Sequence, residues 1–237
     1  MTSPQQDAAR DALAPHRLSP ARARYLAAAR TALELLDSPE VAQRWDEASV
    51  LAGMSVADLA GHLALSGVLI VEQLLDAPDP GSARPVSGGT YYGSFTTAVD
   101  PDSELNAAVR ERSHAVALRG REAVVRSASD ALERLADRLV TEPPGRQVES
   151  RALPLLLDEF LRTRSVELAV HVEDLELSVG LGPGLTAADP VPDVPDDLVS
   201  DAIDVLVAAA VARHGAPAVL RALTRRERDH VDALHVL

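Results

Sequence analysis

The sequence has no cysteine, which excludes a disulfide framework, a thiolate metal ligand and a protein thiol nucleophile. Any sulfur chemistry must therefore use a thiol supplied from outside. It also has no lysine. All 23 basic residues are arginine, a bias that, with abundant Ala, Leu, Val, Asp and Pro, points to a GC-rich genome and carries no mechanism. Aromatic residues make up only 3%, so the core has to be built from Leu, Val and Ala, a composition that favours packed helices over sheets. No apolar run approaches the roughly 20 residues that a membrane span needs. The start, Met1-Thr-Ser-Pro-Gln-Gln-Asp7, has neither the basic end nor the apolar stretch of a signal peptide, so the expected location is cytoplasmic. A net charge of −13 disfavours nucleic acid, whose phosphates want a basic face, and leaves small molecules as the expected partners.

What is present reads as helices. A chain of 237 residues can bury one sizeable core, with room for an appendage. Residues 1–18 are polar and mixed and read as a tail. Ser19-Pro20 starts a helix that runs to Asp37, since a capping serine followed by proline suits the first turn. Ser38-Pro39 ends it, and a short segment from Glu40 to Glu47 leads to a second helix capped by Ser55 and running to Asp76. Asp58, three residues after Ser55, resembles a capping box. From Pro78 to Ser103 the chain carries Pro80, Gly81, Pro85, Gly88, Gly89, Gly93 and Pro101, too many breakers for a regular element; a loop of this kind is usually functional. A third helix is expected over Glu104–Leu139, with an apolar stripe at Leu105, Ala108, Val109, Val116, Ala123, Val124, Ala131, Leu132 and Leu135. After Pro143-Pro144-Gly145, a fourth runs from Pro154 to Val179. The expected architecture is all-α: a four-helix bundle over residues 19–180, then a linker and a small C-terminal helical extension over 181–237. That extension holds a fifth helix, Asp196–His214, and a short closing helix or strand.

The candidate chemistry sits on two of these helices. Glu167 and His171, four apart, share one face, and the inward face of that helix changes from Leu156 and Phe160 to Thr163, Arg164, Glu167, His171 and Asp174. His62 lies on the helical face that also holds Leu59, Leu65, Ser66 and Leu69. Two imidazoles and a carboxylate in a bundle core leave coordination positions open, as catalytic rather than structural zinc-type sites do. A buried Glu167 needs a partner, because an unpaired carboxylate in a core costs several kcal/mol. Arg164 offers a metal-free alternative, a buried Arg-Glu-His network. Asp58 and Asp174 are candidates for orienting the imidazoles from behind. Arg164 is also a candidate catalytic residue that could bind a substrate carboxylate, and Tyr91 and Tyr92 could line a cofactor pocket over the metal.

The segments Met54-Ser-Val-Ala-Asp-Leu-Ala-Gly-His62-Leu63 and Arg162-Thr-Arg-Ser-Val-Glu167-Leu-Ala-Val-His171-Val-Glu-Asp-Leu175, with the ending Leu223-Thr-Arg-Arg-Glu-Arg-Asp229, resemble the mycothiol-dependent maleylpyruvate isomerase family. This family belongs to the DinB-like superfamily of four-helix bundles. The resemblance covers Ser19 to Leu237 and implies that His62, Glu167 and His171 bind a divalent metal, usually zinc, with mycothiol as thiol cosubstrate. Two features depart from the pattern. Met54 stands where family members often have Trp, and the segment after the bundle is too short for the sterol-carrier-like α/β domain that follows it in the family's isomerase. The implied function is isomerisation or S-transfer on a small electrophile through a metal-bound thiolate. The alternatives are a metal-dependent hydrolase using bound water, with Glu173 or Asp174 as base, and a non-catalytic DinB-like binding protein.

Overall fold

A computed structural model describes residues 18–81, 84–98, 100, 102–181 and 196–224, and it is a DinB-like all-α bundle with one small hairpin. The expected N-terminal tail, the linker after Leu181 and the last part of the closing segment lie outside the described residues.

The local signals around the first two long helices are realised as caps. Ser19 Oγ accepts from the Arg22 N–H and starts α1 (Pro20–Leu36), and Ser38 does the same for the short α2 (Pro39–Gln43). Ser55 and Asp58 form a reciprocal capping box that starts α3 (Val56–Ala64). A π-helical turn over Leu65–Leu69 joins α3 to α4 (Ile70–Asp76). Together these span 21 residues with a mean hydropathy of 1.3, so, against the expectation from sequence, one helix among the described residues is apolar and long enough to cross a membrane. About half of it is buried inside the bundle, as in a core helix.

Three expectations are corrected. The Pro78–Ser103 region contains a six-residue helix, α5 (Gly88–Gly93), capped by Ser87, which carries Tyr91 and Tyr92. The third long helix is two: α6 (Glu104–Ala117) and α7 (Arg121–Thr141) are separated at Gly120, whose φ of 83° a helix interior cannot hold. The expected apolar stripe does not serve α6 either, which buries only Ser113 and Ala117. Pro154 is not in a helix but in β2 (Leu153–Leu156), paired antiparallel with β1 (Gln147–Ser150). The turn residues Arg151 and Ala152 have φ of 51° and 60°, unusual for side chains with a Cβ, so nothing in the sequence signals the hairpin. The long α8 (Leu157–Val179) then begins where the strand pairing ends, and closes at Gly180, φ 77°.

The main core joins α1, α3, α4, α7 and α8 through residues such as Tyr25, Leu59, Leu135, Phe160 and Leu168. α9 (Asp196–His214) and α10 (Ala216–Thr224) add a second, smaller core in which Val205, Ala209 and Val219 pack with Tyr92 and Val166. α3, α5, α6 and α8 thereby converge on one place near the middle of α8.

Candidate metal centre

α8 supplies Glu167 and His171 one turn apart, and α3 supplies His62 from across the core. His62 Nε2 lies 3.5 Å and His171 Nε2 3.7 Å from the same oxygen, Glu167 Oε2. The two imidazole rings stand edge to face with centroids 4.6 Å apart. One ligand atom from each of the three residues lies within 4.8 Å of the others. Side-chain exposures of 12, 14 and 18% for His62, Glu167 and His171 leave the cluster mostly enclosed yet within reach of solvent.

The hydrogen bonds behind the rings decide where their protons sit. Ser113 Oγ donates its one hydrogen to Val109 O at 2.8 Å, so toward His62 Nδ1, 3.2 Å away, it can only accept. His171 Nδ1 donates to Asp174 Oδ2 at 2.9 Å. With those partners, a ring carrying one hydrogen holds it on Nδ1 and turns the Nε2 lone pair toward the carboxylate oxygen. Three acceptors then face one another with no donor between them, at separations longer than the roughly 2.7–3.2 Å of a hydrogen bond. A tetrahedral ion with bonds of about 2.0–2.2 Å holds its ligands about 3.3–3.5 Å apart, close to the two separations from Glu167 Oε2, so the donor set could hold a metal ion.

The charges agree with this. Burial alone would raise the Glu167 carboxyl, but the Arg164 guanidinium is among the neighbours that hold it well below its usual 4.5. Burial pushes His62 below its usual 6.5, which disfavours a proton as the bridging cation. The second carboxylate oxygen, Oε1, accepts from Tyr92 OH at 2.7 Å and lies 3.9 Å from Arg164 Nη2.

The structure brings together His62, Glu167, His171, Arg164, Tyr92 and Asp174. Arg164 lies over the Phe160 ring and donates to Thr163 Oγ1 and to Ser66 O in the π-turn. Tyr92 is 1% exposed and stands behind Glu167. Tyr91, also buried, bonds Ser150 Oγ at 2.8 Å in the hairpin. Asp58 is elsewhere: its carboxylate caps α3 and pairs with His114 at 2.8 Å, because the capping box turns it away from the His62 ring. The residue missed in the sequence is Ser113. Its signal is the neighbour of His62: a Cβ on Gly61 would lie 2.6 Å from Ser113 O, so only glycine lets α3 and α6 approach closely enough for the ring to reach the hydroxyl.

Comparison with curated proteins and with solved structures found no match. A family model described as the mycothiol maleylpyruvate isomerase N-terminal domain matches residues 25–176. The match begins at Tyr25 in α1, ends at Glu176 in α8 and contains every residue of the cluster. With well over half of the chain inside it, the protein belongs to the mycothiol maleylpyruvate isomerase N-terminal domain family.

Proposed function

We propose that the protein is a metal-dependent enzyme that activates a low-molecular-weight thiol, mycothiol, for attack on a small electrophile, with isomerisation or S-transfer as the outcome. The observation that carries this is the convergence of His62 Nε2, His171 Nε2 and Glu167 Oε2 with no donor among them. His62, Glu167 and His171 would hold the ion, and Zn2+ suits two imidazoles and a carboxylate. A divalent ion bound there supplies a Lewis acid that lowers the pKa of a thiol toward neutrality. The chain has no cysteine to fill that role itself, and the family description supports mycothiol as the source.

The residues around the cluster prepare it. Ser113 and Asp174 hold the two rings in the Nδ1–H tautomer, keeping Nε2 free. Arg164 and Tyr92 keep Glu167 ionised and oriented. In a thiol addition to an alkene beside a carbonyl, these groups would keep their protons and the thiol would release its own to water; expulsion of the thiolate after bond rotation would give the isomer, whereas return of a proton from water to the carbon beside the carbonyl would give the conjugate. The hydrolase alternative is less well served, since Asp174 is engaged by His171 and Glu173 is exposed.

Elemental analysis of purified protein, followed by calorimetric titration of mycothiol into metal-loaded and metal-stripped samples, tests the proposal. The expected result is one metal ion per chain and thiol binding only when it is present. Metal bound but mycothiol ignored, with turnover independent of any thiol, favours the hydrolase; no metal at all leaves the Arg-Glu-His network.

A further inference from the structure

The family match ends at Glu176, and α9 lies wholly beyond it. Yet α9 is closely fitted to the short helix that carries Tyr92. A Cβ on Gly89 would stand 2.5 Å from Ala208 Cβ and 2.9 Å from the Ala208 backbone, and one on Gly93 would stand 2.9 Å from Ala212 Cβ. Gly89 and Gly93 are one turn apart on α5, and Ala208 and Ala212 one turn apart on α9, so the two helices meet along a seam with no room for another methyl. Arg213 at the end of α9 donates to the Phe95 carbonyl just past α5, tying the same pair of segments together. Between them and α8, Tyr92 is clamped at 1% exposure in a cluster with Val166, Ala202, Val205 and Ala209.

The phenol so held has one hydrogen and two acceptors in range, Glu167 Oε1 at 2.7 Å and Thr163 O at 2.8 Å. Thr163 O already has the Glu167 N–H as its helical partner, and a bond to an ionised carboxylate is the stronger of the two. The hydroxyl therefore serves Glu167, fixing Oε1 and with it the rotation that aims Oε2 at both histidines.

We propose that α9, through the Gly89–Ala208 seam, sets the geometry of the metal centre with Tyr92 as the positioning residue. The inference rests on the metal reading above. A ligand carboxylate on a helix surface keeps side-chain freedom; here a helix outside the family match removes that freedom by fixing the donor behind it. The C-terminal helices are then part of the site's support.

The test uses Co2+ with the full chain, reading its dissociation constant by chelator competition and its visible absorption bands, alongside apo-protein circular dichroism. Wild type failing to take Co2+ overturns the metal reading itself. If wild type binds, Tyr92→Phe is expected to weaken binding by about 10–100-fold and shift the bands with helicity intact. Gly89→Ala is expected to do likewise, and adding Ala208→Gly, which removes the methyl clash but leaves the Ala208 backbone 2.9 Å away, to restore affinity and spectrum in part. In the Tyr92→Phe background, Gly89→Ala should add less than about twofold, as coupled residues do. The inference is overturned if Gly89→Ala leaves binding and spectrum at wild-type values, or weakens binding equally with and without the Tyr92 hydroxyl. Should Gly89→Ala not fold, Val205→Ala, which only removes methyls from the Tyr92 cluster, is judged by the same two comparisons.

Discussion

Two of the polar clusters enclosed among the described residues are built on opposite principles. At one end, Arg22 of α1 is 5% exposed and surrounded by acceptors: Nε donates to Asp158 Oδ1 at 2.8 Å, Nη1 to Leu139 O and Glu142 O, and Nη2 to Pro143 O. A donor-only group meets carbonyls left over at the end of α7 and a carboxylate at the start of α8, and the cluster closes on itself. In the middle of α8, the Ser113 and Asp174 bonds leave two imidazole lone pairs and a carboxylate oxygen turned toward one another. That cluster could hold a cation. Donor and acceptor balance, and not burial or charge alone, separates an arrangement that closes on itself from one that could take a cation.

The comparison is broken or sharpened by substitution, starting where the effect is largest. His171→Ala is expected to take metal binding below detection in equilibrium dialysis while apo-protein helicity stays at the wild-type value; retention of stoichiometric metal would move the ligand set elsewhere. Arg22→Met is expected to do the reverse. Leaving three carbonyls and Asp158 without their donor should cost about 3–5 kcal/mol. For a chain of this size that lowers the melting temperature on the order of 10 °C, with metal affinity per folded molecule unchanged. A metal-affinity defect in Arg22→Met, measured well below its melting point, would show that the two clusters are coupled after all.

Smaller effects probe the outer groups. Ser113→Ala removes the acceptor that fixes the His62 tautomer and is expected to weaken metal binding by about 10-fold or somewhat more, with Ser113→Thr largely rescuing it. Nitrogen-15 chemical shifts of the His62 ring should show the Nδ1–H form in wild type and a tautomer mixture in Ser113→Ala.

The smallest effect concerns Glu176, further along α8, where one carboxylate oxygen is buried without a hydrogen-bond partner. Burial, and then the charge of Glu173, pushes its carboxyl from the usual 4.5 up to about 7. Between those pH values the folded chain holds a proton that the unfolded chain has lost, so this group's contribution to stability fades as pH rises across that window. Glu176→Gln is therefore expected to melt a few degrees higher than wild type at pH 8 and at the same temperature at pH 4, in thermal scans of metal-free protein. A variant with no gain at pH 8 would remove Glu176 from the account.

The fold was legible where a signal is local. Ser19, Ser38 and Ser55 before helical patterns are read directly as caps, because the hydroxyl bonds an N–H only two or three residues ahead. Gly120 was not legible as a break, since one glycine in a long helical pattern is tolerated as often as it is used. The hairpin was hidden for another reason: Arg151 and Ala152 hold left-handed conformations with no glycine or asparagine to announce them. They are kept there by what surrounds them, including the Tyr91 bond to Ser150 and the stacking of Arg151 on Phe95.

The sequence by itself determined that no thiol comes from the protein and that Glu167, His171 and Asp174 share one helical face, because composition and helical spacing need no further context. It did not determine which groups answer them. The approach of α3 to α6 over Gly61, which gives His62 the Ser113 hydroxyl, and the seam of α5 against α9, which gives Glu167 the Tyr92 hydroxyl, join residues about 50 and 75 positions apart in the chain. Contacts of that kind are set by how whole helices pack, since a hydrogen bond across the core exists only once two backbones are fixed at the right distance. The tertiary structure alone decided that the two Nε2 atoms and one carboxylate oxygen should meet without a donor between them.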